Sequence, residues 1–207
     1  MPENLHKLFV ISSPSGGGKT SLINKLFEDS RSAKFEKSIS DTSRQKRQGD
    51  LEGKDYYFLS EKDFKDKIKK EEYVEYAIVF GNFYGTSKDE IKTKYNNSNL
   101  ILELDWQGAY AVKKIFNDAK LIFLVPPSLD DLKQRLIKRN LDSSEAIENR
   151  LSEAKKEISK SEMYDYLVLN DDFDKAFEDL SQILFEGISP IDFNSRASKD
   201  MIKRLVE

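Results

Sequence analysis

A short apolar run that opens into three glycines limits the fold of this chain more than any other stretch. Leu8-Phe-Val-Ile11 reads as a strand buried on both faces, and it enters Ser13-Pro-Ser-Gly-Gly-Gly-Lys-Thr20. From Ser21 to Phe27 the apolar residues Leu22, Ile23, Leu26 and Phe27 then fall at helical spacing. In that order the backbone curls tightly, brings several N–H groups to phosphate oxygens and sets the positive end of a helix behind them. Ser13, Pro14, Ser15, Gly16, Gly17, Gly18, Lys19 and Thr20 are therefore candidate phosphate ligands. Lys19 would reach the outer phosphates, and the Thr20 hydroxyl would face Mg²⁺. Ser13 stands where the strict pattern has its first glycine, so the loop must make its first bend without one. A merely flexible glycine turn is the plain alternative, but a buried strand that delivers Gly-Gly-Gly-Lys-Thr to a helix start has little other use.

The rest of the chain alternates in the same way. Leu100–Asp105, Leu121–Val125 and Tyr166–Leu169 read as further buried strands. Helices follow from about Gln107, from Ser128 to about Arg139 and from Phe173 to Glu186. Strands alternating with helices predict an α/β fold, a parallel sheet flanked by helices of the P-loop NTPase type. Two stretches break the rhythm. Residues 35–86 are rich in aromatics and short strand-like runs, with one helical piece near Glu61–Lys70, and predict a small α+β insertion. Residues 139–160 are almost entirely charged and polar, with sparse apolar contacts at Ile147, Leu151 and Ile158. They read either as a solvated helical hairpin or as a mobile lid, and the arginines among them favour the lid. The tail 188–207 carries little signal, a short helix or a frayed end.

Composition removes several alternatives. A chain of 207 residues suits one α/β domain with an elaborated edge. Its formal net charge of −3, with both signs interspersed, lacks the basic face of a non-specific nucleic-acid binder. With no cysteine, disulfides and thiolate metal sites are excluded. The N-terminus lacks the pattern of a secretory leader, and no apolar stretch approaches the ~20 residues that span a bilayer. The expectation is a cytoplasmic protein with no membrane partner.

The insertion carries the second cluster. Ser40-Asp-Thr-Ser-Arg44-Gln-Lys-Arg47 precedes Gly53-Lys-Asp-Tyr56-Tyr-Phe, placing two arginines three apart beside a tyrosine. Guanidinium forks and a phenolic hydroxyl can enclose a monoester phosphate, although an arginine pair alone is more often ordinary solvated surface. Glu75 and Gly81-Asn-Phe-Tyr84-Gly85-Thr86 add to it. A carboxylate only accepts hydrogen bonds. Guanine offers adjacent N1–H and N2–H donors, whereas adenine has an acceptor at N1. A buried Glu75 would select guanine, with hydroxyls such as Ser40 and Thr86 donating to O6.

Taken in order, Ser-Pro-Ser-Gly-Gly-Gly-Lys-Thr, Thr-Ser-Arg-Gln-Lys-Arg, Gly-Lys-Asp-Tyr-Tyr-Phe, Val-Glu-Tyr-Ala, Gly-Asn-Phe-Tyr-Gly-Thr, Leu-Glu-Leu-Asp-Trp-Gln-Gly, Pro-Pro-Ser and Val-Leu-Asn-Asp-Asp resemble the guanylate kinase family. The resemblance runs from about residue 7 to 187. It implies a kinase-like domain over 5–187, with core segments near 5–34, 97–138 and 163–187, a GMP-binding insertion near 35–96 and a helical lid near 139–160. It implies transfer of a phosphoryl group from ATP, with Mg²⁺, to GMP; dGMP as a second acceptor and the oligomeric state stay open. By resemblance Ser40, Arg44, Arg47, Tyr56, Glu75, Tyr84, Thr86 and Asp105 match GMP-contacting positions. Asp105 keeps a second reading, steering hydrated Mg²⁺ together with Glu103. Arg135, Arg139 and Arg150 match phosphate-facing arginines that act with Lys19 and Arg44 in catalysis, and Asn170 matches an adenine-side position. Asn140 departs from the usual glycine, a change asparagine tolerates well. Two alternatives remain: a P-loop kinase for another nucleoside monophosphate, and a catalytically silent binding module of the same shape.

Overall fold

The computed structural model describes residues 6–138, 144–191 and 195–206. In chain order the first elements are β1 (Leu8–Ser12), α1 (Lys19–Glu28), β2 (Phe35–Lys37), β3 (Asp41–Thr42) and β4 (Tyr57–Phe58). Next come α2 (Glu61–Lys69), β5 (Tyr73–Val79), β6 (Asn82–Ser87), α3 (Lys88–Tyr95), β7 (Asn99–Glu103) and α4 (Trp106–Ile115). The remainder holds β8 (Lys120–Val125), α5 (Leu129–Lys138), α6 (Ser144–Ser159), β9 (Tyr166–Leu169), α7 (Phe173–Ser181) and α8 (Arg196–Val206). One sheet has the order β2-β7-β1-β8-β9 and the other β4-β3-β6-β5. Among the described residues no helix is long and apolar enough to cross a membrane.

The apolar runs behave as their composition requires. Every residue of β1 is buried, as are Leu100 to Leu102 in β7 and Leu121 to Val125 in β8. Continuous rather than alternating burial is what a sheet covered on both faces produces. β2 pairs with β7 and β8 with β9, both in parallel register.

Two compact units divide the chain. The first holds Lys34–Ala119 with the N-terminal stretch through Val10. Within it, β5 and β6 form an antiparallel hairpin closed by Phe80 and Gly81, both left-handed at φ 48 and φ 78. Phe64 of α2 seals the back of this sheet, its ring stacked 4.5 Å from that of Tyr73 and 5.3 Å from that of Phe83. The second unit holds Ile11–Ala33 with the stretch from Lys120 onward. Here α6 packs against α5 and α8, burying Ile147, Ala154 and Ile158.

Three local features differ from the sequence expectations. β2 falls inside the stretch predicted as insertion, yet it pairs in the parallel sheet. β7 stops at Glu103, so Asp105 is not in a strand; it is the N-cap of α4 and accepts from Gly108 N at 2.8 Å. The predicted last helix ends at Ser181 and widens into a π-type turn over Gln182–Glu186 before the left-handed Gly187. In the tail, the first of the two alternatives holds: α8 is a short helix with Leu205 and Ser198 buried. The predicted Arg139 and Asn140 lie outside the described residues.

Candidate active site

The glycine loop is shaped by contacts that each forbid a side chain. Gly16 and Gly18 are left-handed, at φ 90 and φ 89. A Cβ on Gly16 would meet the Leu136 and Leu132 side chains at 3.1 and 3.2 Å, and one on Gly17 would meet Pro14 O and Ser13 Cβ at 2.9 Å. Ser13 therefore occupies space that Gly17 leaves open. Its own backbone needs no glycine, because the described non-glycine residues with positive φ are Glu71 and Phe80 alone. Gly17 N donates to Pro14 O at 2.8 Å and tightens the turn. Gly18 then caps α1 without a side-chain hydrogen bond, and no acidic residue lies in the first turn, which starts with Lys19 and Thr20. No carboxylate within the helix's own first turn offsets the positive potential of its N-terminal N–H groups.

Three sequence-predicted residues gather at this loop within the same unit. Asn170 is buried at the end of β9, and its Nδ2 donates to Gly17 O at 2.7 Å. By resemblance Asn170 belongs beside adenine; in the structure its amide nitrogen holds the loop itself. Arg135 of α5 donates from Nη2 to Asn170 O at 2.9 Å. Arg150 of α6 donates from Nη1 to Ser15 Oγ at 2.6 Å. Arginines from two successive helices thus meet the loop, Arg150 directly and Arg135 through Asn170.

The second cluster lies in the first unit, on the β3–β6–β5 face. Register sets it: Thr42 pairs with Tyr84, and Glu75 with Thr86. Glu75 is 5% exposed. Thr86 Oγ1 donates to its Oε1 at 2.6 Å, and Ser40 Oγ lies 3.4 Å from Thr86 Oγ1. Burial raises the Glu75 carboxyl from its ordinary 4.5 to about 7; Thr86 pulls it down, and the nearby Asp105 adds to the rise. The expectation that both hydroxyls donate to a base oxygen needs correction. Thr86 has one proton and gives it to Glu75, which leaves Ser40 as the donor of the pair.

Arg44 lies beside a ring cluster, its guanidinium 5.3 Å from the Tyr56 centroid and 5.5 Å from that of Phe58. Tyr56 and Tyr84 meet edge to face at 5.7 Å. Burial pushes the Tyr56 hydroxyl above its usual range, so it stays a neutral donor. Arg44 Nη2 also pairs with Asp50 Oδ2 at 2.9 Å, and that oxygen accepts from Arg47 N at 2.7 Å. Burial alone would raise the Asp50 carboxyl; these arginine contacts hold it below the ordinary value. Arg47 itself is exposed. Glu103 pairs with Lys37 at 2.7 Å.

Sequence reasoning missed Asp50 and Asp41. Asp41 is buried and accepts from Lys67 Nζ at 2.5 Å and Tyr73 Oη at 2.7 Å. It sits between Ser40 and Thr42, so its side chain anchors the strand from the opposite face. A carboxylate inside a run of site residues was the only available signal.

The sheet, the glycine loop and the helix that follows it define a P-loop nucleotide-binding protein. A family model, "Guanylate kinase", matches residues 5–187. The guanylate kinase of Hahella chejuensis is 48% identical over 178 residues, covering 86% of this chain and 85% of that protein. The guanylate kinase of a Wolbachia from Brugia malayi is 44% identical over 184 residues, covering 88% and 93%. The crystal structure of guanylate kinase from Anaplasma phagocytophilum superposes with a TM-score of 0.73 at 30% identity, covering 99% of this chain and 98% of that one. The chain belongs to the guanylate kinase family.

Proposed function

We propose that this protein transfers the γ-phosphoryl group of ATP to GMP, giving ADP and GDP, and does so in the cytoplasm. The observation that carries the choice of acceptor is Glu75, a buried carboxylate oriented by Thr86 across the β5–β6 pair. Only a base presenting adjacent donors repays the burial of such a group, and guanine does. Family membership supports the same reading.

ATP would occupy the glycine loop, with Ser13 to Thr20 around its phosphates and Lys19 on the outer ones. Arg135 and Arg150, already held at this loop, would neutralise charge on the transferring group, and Arg139 would join them from the segment between α5 and α6. We propose residues 139–160 as a lid carrying these arginines. GMP would place its base against Glu75, Ser40 and Asp105 and its phosphate near Arg44, Arg47, Tyr56 and Tyr84. The Arg44–Asp50 pair suits this, since an arriving phosphate can replace the Asp50 carboxylate as the anion on Arg44.

Thr20 is exposed at the start of α1, and the described residues contain no group of three acidic or histidine ligands. That environment fits Mg²⁺, which keeps most of its waters and takes phosphate oxygens with one protein hydroxyl. When bound, the ion supplies charge neutralisation across the phosphates. No general base is needed, because the acceptor phosphate is already anionic. The protein contributes position, electrostatic complementarity and exclusion of water.

A coupled assay with ATP·Mg²⁺ and GMP, AMP, IMP, CMP and UMP tests the proposal. GMP should be the preferred acceptor. Preference for another monophosphate would reassign the acceptor, and turnover of none would make the chain a binding module.

A further inference from the structure

We propose that Gly108 is a specificity-determining positioning residue: by carrying no side chain, it sets where the Glu75 carboxylate stands against the base. The proposal rests on the reading of Glu75 given above and extends it to a residue that has no side chain to offer the base.

Gly108 is the third residue of α4 and is buried. Its φ is not left-handed, so backbone conformation gives no reason for glycine there. Glycine is among the poorest residues for a helix interior, and alanine would suit the helix better. The backbone N–H of Gly108 donates to the Asp105 cap, but any residue except proline could do that. What only glycine provides is space. A Cβ at this position would lie 2.8 Å from Glu75 Oε2, 3.3 Å from its Cδ and 3.2 Å from Leu104 Cβ.

A flexible carboxylate on the surface would simply swing away from such a clash. Glu75 cannot do so freely. It is 5% exposed, and its other oxygen is held by Thr86 Oγ1 at 2.6 Å. The carboxylate is thus fixed from two sides, by a hydroxyl on Oε1 and by the open Cα of Gly108 against Oε2. The same glycine binds Asp105 through its N–H, so it also sets the relation of the two carboxylates. A methyl group at 108 would push Oε2 off its position. It would either break the Thr86 bond or rotate the carboxylate out of the plane that two guanine donors require.

The test is a double-mutant cycle with Gly108→Ala and Glu75→Ala, reading KM for GMP, KM for ATP and the kcat/KM ratio of GMP to IMP. Gly108→Ala in the wild-type background should raise KM for GMP by about tenfold and narrow the GMP-to-IMP ratio, with KM for ATP changed less than about twofold. In the Glu75→Ala background no carboxylate remains to displace, so the same substitution should change KM for GMP by less than about twofold. Equal losses in both backgrounds would mean that the methyl group distorts α4 itself, and would overturn the proposal. So would a Gly108→Ala protein that keeps its wild-type KM for GMP. Should Gly108→Ala fail to fold while the double variant folds, the clash with Glu75 is established by stability instead; failure of both overturns it. An unchanged GMP-to-IMP ratio in Glu75→Ala alone would remove the base-reading role of Glu75. That failure is distinct from a failure at Gly108.

Discussion

The amide of Asn170 fills the space that any side chain on Gly18 would need: a Cβ there would stand 2.4 Å from Asn170 Nδ2. The same nitrogen holds Gly17 O at 2.7 Å, so the two residues lock the loop from below. Asn170→Ala should leave Gly17 O without this partner and loosen the loop, at a cost of about 1–2 kcal/mol. KM for ATP should rise roughly tenfold, with KM for GMP little changed. Steady-state kinetics with each substrate varied in turn checks this.

Lys19 brings a point charge to the first turn of α1, which contains no acidic residue of its own. Lys19→Ala should lower kcat by on the order of 10²-fold or more while the protein keeps its fold. Circular dichroism alongside the coupled assay would show a folded but slow enzyme. Near-wild-type turnover would take Lys19 out of the mechanism.

Guanine recognition should depend on acidity. Glu75 has a folded-state carboxyl raised to about 7, chiefly by burial. Binding of two N–H donors favours the carboxylate, so GMP should release a proton on binding below that pH. KM for GMP should therefore rise as pH falls from about 7 toward 5. The GMP phosphate also titrates, near about 6, and Glu75→Gln separates the two: the variant should keep only the phosphate component. The sign for stability is opposite. Because the folded-state value lies above the unfolded one, the contribution is full below about 4.5 and is lost as pH rises through about 7. Urea denaturation of nucleotide-free protein at pH 5 and pH 8 would read this as a fall in midpoint that Glu75→Gln abolishes.

Asp41 faces away from the pocket and ties β3 to α2 and β5 through Lys67 and Tyr73. Burial and this carboxylate both push the Tyr73 hydroxyl upward, so it remains a donor. Asp41→Ala would leave two donors aimed at an empty position and should cost about 3 kcal/mol. Chemical denaturation should show the loss. Saturating GMP should restore part of it, since a ligand that binds only the folded state stabilises it.

Much of this was legible in the sequence. Four strands of the parallel sheet, β1, β7, β8 and β9, announced themselves because residues buried on both faces form unbroken apolar runs; β2, half-buried and carrying Glu36 and Lys37, did not. The glycine loop was legible because its residue types follow from backbone geometry. Short elements with mixed surfaces were not. β3 is two residues long and exists through pairing with β4 and β6, which no local pattern encodes, whereas the aromatic run Tyr56-Tyr-Phe58 did mark β4. Helix α3 hid in a charged stretch, although Ser87 caps it by accepting from Glu90 N, a spacing that could have been read. The task of Thr86 was out of reach because a hydroxyl's single proton goes to whichever acceptor the fold brings nearest. Gly108 was out of reach for a related reason, since a glycine in a helix says that space is needed and not what fills it.

Helix α8 gives α6 a second packing partner beside α5. Arg150, which touches Ser15 from α6, is therefore carried by a packed helical body of which α8 lies beyond the family-matched residues. A body of this kind opens cooperatively: its amides exchange together, and trimming one helix weakens protection in the other. Residues near the chain's end thus become a remote handle on an arginine at the glycine loop. A bulky fusion or tag joined after Glu207 would pull on that handle.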